Sequence, residues 1–179
     1  ALALALLLVT GQRVGEVIGM EWSEVDLDAA VWTVPAARSK NKLLHTVPLT
    51  PTAVELLQRA AGHRRDDLPY VFPGYKPKQT RNGKPTSRAG EPAGPIRTTS
   101  VNYALRRVRQ KLGLDHFVVH DIRRTAATSM TSAGVSRLVV GKILNHAERG
   151  VTARYDRASY DAEKRAALEL WERELQKIT

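Results

Sequence analysis

The chain has 179 residues, 42% of them hydrophobic and 26% charged, with a formal net charge of +10 and no cysteine. That length suits one domain with a proper core, and the missing cysteine excludes a disulfide framework and a thiolate zinc site. No apolar run approaches the roughly 20 residues that span a bilayer. The longest, residues 1–9, lacks the basic flank of a signal peptide, so a cytoplasmic protein without membrane contact is expected. Residues 51–150 hold 18 of the 28 Lys and Arg against 7 of the 18 Asp and Glu. Such a concentration suits a polyanionic partner, because each cation set against a phosphate releases condensed counterions.

In chain order, residues 2–9 and 13–20 read as helical, with Thr10 and Gly11 as a break or cap between them. A chain that opens inside an apolar helical pattern is expected to be a fragment. The β-rich stretches 25–27, 31–34 and 44–49 follow, separated by Asp28-Ala29 and by the polar run Arg38-Ser39-Lys40-Asn41-Lys42. They predict a three-stranded antiparallel sheet whose second hairpin tip carries Lys40 and Lys42. Thr50 as N-cap and Pro51 at the first helical position start a helix to about Ala61.

The Gly/Pro-rich segment 73–97 is read as a basic loop without apolar periodicity, holding Lys76, Lys78, Arg81, Lys84 and Arg88. It is either an exposed linker or a DNA-touching loop. Val101, Leu105, Val108 and Leu112 mark one face of a helix whose other positions include Arg106, Arg107, Arg109 and Lys111, a solvated face or a set of phosphate contacts. A helix from about His120 stops at Gly134, and a short one runs from Ser136 to Asn145. The last helix, 161–179, should bury Leu168, Trp171, Leu175 and Ile178, either in the domain's own core or against a neighbouring subunit. The fold class is α+β, mainly helical with one small sheet, over a single domain 1–179.

Four segments carry groups with chemistry. In Thr10-Gly11-Gln12-Arg13-Val14-Gly15-Glu16, a glycine turn lets backbone approach an anion, and Glu16 lies one turn from Arg13, where it can hold the guanidinium. Lys40 at the hairpin tip can act as a general acid beside a phosphate and arginines. His120 and Arg123, three residues apart, share a helix face, setting a proton carrier beside a phosphate fork. His146 is followed nine residues later by Tyr155. Taken singly, each has an ordinary explanation: a surface ion pair, a solvated lysine, a capping histidine, a structural tyrosine.

Together and in this order they resemble the catalytic domain of the tyrosine recombinase or phage integrase family over essentially the whole chain. The family pattern is Thr-Gly-x-Arg-x-x-Glu, a hairpin Lys, His-x-x-Arg, a His or Trp, then Tyr, and it falls on Arg13, Lys40, His120, Arg123, His146 and Tyr155, with Glu16 supporting Arg13. Asn145 departs from the usual Leu-Gly-His. Lys42 competes with Lys40, and Tyr160 with Tyr155. The position just after a serine favours Lys40, and the nine-residue step favours Tyr155.

The resemblance implies site-specific recombination of double-stranded DNA through a 3′-phosphotyrosyl intermediate, with no metal, ATP or other cofactor and no small-molecule substrate. It further implies an N-terminal core-binding domain, which residues 1–179 do not resemble, and a homo-tetramer on DNA docked through the C-terminal helix. Lys42, Lys76, Lys78, Arg81, Lys84, Arg106, Arg107 and Arg124 are the expected DNA contacts. Alternatives are type IB topoisomerase-like relaxation, a non-catalytic helix-turn-helix module on residues 120–145, and a metal-dependent phosphohydrolase around His120-Asp121, which the adjacent arginines disfavour by repelling a divalent cation.

Overall fold

The structure, a computed structural model, describes residues 1–75, 92–146 and 159–178. Helix α1 (Leu2–Thr10) lies at the centre, packed against every other long helix. Its composition explains that position. Leu6 and Leu7 are fully buried, and Leu2, Leu4, Ala5 and Leu8 are partly buried against the same core, so the helix is apolar all round. Gly11 ends it in the left-handed conformation (φ 64°), donating its N–H to Leu7 O. The short helix α2 (Val14–Ile18) then begins with Arg13 as its N-cap residue.

A 3-10 turn (Trp22–Glu24) leads into the sheet β1 (Val25–Asp26), β2 (Val31–Val34) and β3 (His45–Pro48), antiparallel in the order β1-β2-β3. Trp32 stands opposite Val25 and Val47, and Val34 opposite His45. Alternation along β2 puts Trp32 and Val34 on the buried face, where Val47 and His45 join them. The predicted sheet is therefore present with its tip between β2 and β3. Helix α3 (Pro51–Ala61) starts as expected, with the Thr50 hydroxyl accepting from Ala53 N.

The segment read as a loop over 73–97 departs from that reading at both ends. Strands β4 (Pro73–Tyr75) and β5 (Pro92–Pro95) pair antiparallel with an irregular register; each is an edge strand of a two-stranded ribbon, where proline is tolerated. Lys76, Lys78, Arg81, Lys84 and Arg88, between them, lie outside the described residues.

Helices α4 (Thr98–Leu112), α5 (Val119–Ser132) and α6 (Arg137–Ile143) follow, with Gly134 (φ 91°) between the last two and Ser136 capping α6. Only the first half of the predicted α4 face is buried: Val101 and Leu105 are covered, whereas Val108 and Leu112 are exposed. The helix projects beyond the body it packs on. Arg109 turns back and donates to Phe117 O (2.9 Å), tying α4 to the start of α5.

The final helix α7 (Asp161–Gln176) packs on α1, α5, α6 and β3. Ala167, Leu168 and Trp171 are buried, the Trp171 indole donates to Leu8 O (2.8 Å), and Glu172 accepts from Thr52 N (2.7 Å). Its apolar face therefore closes the domain's own core. Leu175 is partly buried, but Ile178 is 80% exposed, contrary to expectation, since it lies past the last helical turn. Among the described residues no helix is long and apolar enough to cross a membrane.

Candidate active site

The α1–α2 corner places the first functional group. Gly11 packs so near α5 that a Cβ there would stand 3.5 Å from Ala126 Cβ, and its carbonyl accepts from Arg123 Nη1 (3.0 Å). Two residues on, Arg13 donates through Nη1 to Glu16 Oε1 (3.1 Å) and through Nη2 to Asn145 O (3.0 Å). Glu16 is buried and the Arg13 side chain is 23% exposed. The carboxylate therefore fixes one edge of the guanidinium while the other face remains open.

The C-terminal end of α6 supplies the frame. Three successive carbonyls point into the centre of the molecule. Ile143 O accepts from Gln12 Nε2 (2.8 Å) and His45 Nε2 (3.1 Å), Leu144 O from Arg123 Nη2, and Asn145 O from Arg13 Nη2 (3.0 Å) and Asn41 Nδ2 (3.2 Å). Carbonyls past the end of a helix lack intrahelical partners and carry the negative end of its dipole. Here that deficit is met by cationic and amide donors from α5, the α1–α2 corner and β3.

Arg123 reaches them from the first turns of α5, where it is 6% exposed. Burial, then the nearby Arg13, push its pKa down to about 10, with Glu16 opposing, and it stays cationic at neutral pH. His120, one turn earlier, is exposed at the rim. Asp121 caps the helix by accepting from Val118 N (2.9 Å), an interaction that, with Arg124 beside it, lowers its carboxyl below the usual range. Arg124 points to solvent, 73% exposed and 3.3 Å from Asp121.

Lys40 comes from the β2–β3 tip. It lines one open cleft of about 400 Å³ together with Arg13, Glu16, Arg38, His120 and Arg123. Four of the sequence-predicted groups, Arg13, Lys40, His120 and Arg123, are thus assembled from three distant parts of the chain, with Glu16 behind them. His146, just past α6, is exposed; partial burial, then the charges of Arg123 and Arg13, lower its imidazole pKa. It is therefore neutral at pH 7 and electrically coupled to both arginines. Tyr155 lies outside the described residues. Of the expected DNA contacts that are described, Lys42, Arg106, Arg107 and Arg124 are all exposed. Among the described residues no three His, Asp or Glu side chains converge as a metal site requires.

Sequence reasoning missed several supporting residues. Gln12 is 1% exposed and bridges Thr10 O, Ile143 O and His45. His45 is buried on β3, and burial, followed by the positive charge of Lys164, lowers its pKa to about 4, against a hydrogen bond to Ile143 O that raises it. Arg38 pairs with Glu24 and covers Gly19, where a Cβ would stand 2.7 Å from its Nη1. The one available hint was the strand alternation that turns His45 to the same face as Val47.

Comparison with known proteins agrees with this geometry. Residues 1–162 match the model of the phage integrase family. The chain is 30% identical to the prophage integrase IntA of Escherichia coli K12 over 170 residues, covering 92% of this chain and 36% of that protein. It is 26% identical to the tyrosine recombinase XerC of Corynebacterium glutamicum, covering 87% and 46% respectively. The chain therefore spans less than half the length of these relatives. Among solved structures, the integrase from mycobacterium phage Brujita superimposes with a TM-score of 0.64 at 22% identity, over 93% of this chain and 50% of that one. The XerH recombinase bound to its difH substrate superimposes with a TM-score of 0.59 at 18% identity, over 86% and 40%. These likenesses establish the tyrosine recombinase fold.

Proposed function

Because the chain belongs to the phage integrase family, we propose that it carries out site-specific recombination of double-stranded DNA by breaking and rejoining strands through a phosphotyrosine bond. The observation that carries the reading is the anchoring of Arg13 and Arg123 on adjacent carbonyls of one cleft that also holds Lys40 and His120.

In this reading Tyr155 Oη attacks the scissile phosphorus. A bond forms between the tyrosine oxygen and phosphorus, and the bond from phosphorus to the 5′ oxygen breaks. Phosphodiester is exchanged for phosphodiester, so the strand can be rejoined without ATP. His120 accepts the phenolic proton, a necessary step because an unperturbed phenol has a pKa of about 10. Lys40 delivers a proton to the departing 5′ oxygen. The developing charge on the non-bridging oxygens is met by Arg13 and Arg123, already fixed and needing no reorganisation, in place of metal ions. Neutral His146 donates one further hydrogen bond to the phosphate.

The exposed basic residues Lys42, Arg106, Arg107 and Arg124 contact the duplex backbone, and the charges of Lys76, Lys78, Arg81 and Lys84 add to its attraction. The protein works on cytoplasmic DNA as a homo-tetramer docked through the C-terminal helix, whose apolar face is used within its own domain. The test is covalent capture on a library of nicked duplexes of random sequence, resolved by denaturing electrophoresis and peptide mapping. An adduct on Tyr155, lost in Tyr155→Phe, is expected; an adduct that survives that change overturns the nucleophile, and no adduct on any duplex overturns the reading.

A further inference from the structure

Asn145 stands where the family pattern usually has glycine, and its backbone explains the usual choice: φ is 50°, in the left-handed region. Asparagine tolerates that conformation. Its side chain is not idle there, however. Asn145 is 8% exposed, and its amide is satisfied from both ends by the β2–β3 tip. Ser39 Oγ donates to Asn41 Oδ1 (3.0 Å), Asn41 Nδ2 donates to Asn145 Oδ1 (2.7 Å), and Asn145 Nδ2 donates to Ser39 Oγ (2.9 Å). Each of the three side chains donates once and accepts once in a closed ring, and the residue between Ser39 and Asn41 in the chain is Lys40. Asn41 Nδ2 also reaches Asn145 O, the carbonyl that holds Arg13.

We infer that Asn145 is a positioning residue that latches the Lys40-bearing tip to the arginine cleft. The rest of the tip is held weakly. Its backbone bonds are local turns, Ser39 N to Pro35 O and Lys42 N to Ser39 O, and Leu43 and Leu44 stand 64% and 65% exposed. Arg38, at the stem of the tip, is tied to Glu24 and to Glu16 O, which leaves the segment beyond it to the ring. Without the ring, Lys40 would explore many rotamers and backbone states, and a proton donor held out of place loses most of its effect. In consequence, which rests on the reading of Lys40 as general acid, Asn145 sets the protonation of the leaving oxygen without touching DNA.

Asn145→Gly tests this with little side damage, since glycine keeps the positive φ and leaves the carbonyl for Arg13. The partly exposed Asn41→Ala breaks the ring from the other side without touching the core. First, limited trypsin digestion should cut after Lys40 or Lys42 about ten-fold faster in both variants, with sites in α5 unchanged. Protection equal to the unmodified chain in both variants overturns the latch. Second, the captured DNA is made with oxygen or with sulfur at the bridging 5′ position of the scissile phosphate. A thiolate leaves without a proton, so both variants should slow adduct formation about ten-fold or more on the oxygen substrate and leave it nearly unchanged on the sulfur one. Equal slowing on both substrates overturns the link to Lys40. If the unmodified chain forms no adduct, the recombinase reading fails, and the latch is judged by the digestion alone.

Discussion

Arg13 and Arg123 donate to the carbonyls of adjacent residues, Arg13 Nη2 to Asn145 O and Arg123 Nη2 to Leu144 O, so one helix end fixes the spacing between the two cations. Their partners differ, and that difference separates their effects. Arg123→Ala leaves Gly11 O and Leu144 O without donors in the interior and should cost about 1–3 kcal/mol for each group left unpaired. Arg13→Ala takes the cation from the buried Glu16 carboxylate and should also destabilise, whereas Arg13→Ala combined with Glu16→Gln should shift a urea unfolding curve much less. Both single changes should slow adduct formation by about 10²–10³, the size seen on removing one charge-stabilising donor. An unfolding curve of Arg123→Ala that matches the unmodified chain would show that the carbonyl frame does not depend on Arg123.

His45 makes stability depend on pH. Its folded pKa is about 4, against the ordinary value of 6.5, so the unfolded chain binds more protons between those values and stability rises with pH there. The contribution is complete above about 6.5 and is lost as pH falls toward 4, a change of a few kcal/mol. Urea unfolding at pH 7.5 and pH 4.5 should show a clear loss, and His45→Gln, which keeps a donor for Ile143 O, should flatten it. An unchanged slope in that variant assigns the pH dependence elsewhere.

Trp171 reports on where α7 belongs. It is 4% exposed and donates to Leu8 O within the same chain. Trp171→Ala should cost about 3–5 kcal/mol. The unfolding midpoint should not vary with protein concentration, before or after the change. A concentration-dependent midpoint would place that face in a subunit contact.

Binding to duplex DNA should be weak and should fall steeply between about 50 and 200 mM salt. Arg106→Gln and Arg107→Gln should each weaken it evenly across sequences and reduce the salt slope by about 1. A slope that neither change alters would remove the exposed face of α4 from the interface.

What could be read without coordinates was whatever is local in the chain: the helical spacing of apolar residues in α4 and α7, the alternation of β2, the Thr50-Pro51 start, and the ordered set of Arg, Lys, His and Tyr. Those patterns depend on neighbours within a turn or a hairpin. Tertiary structure alone decided which half of α4 is covered, that Ile178 is exposed, that β4 and β5 pair, and that α7 closes its own domain rather than a neighbour's. It also decided the frame of the site. The bonds from Gln12, Arg13, Asn41 and His45 to the end of α6 join residues 98 to 132 positions apart. A hydrogen bond at that separation leaves no periodicity behind, and a carbonyl is present at every position of every sequence. Residue types singled out the two arginines; only the folded path of the chain determines which carbonyls hold them still.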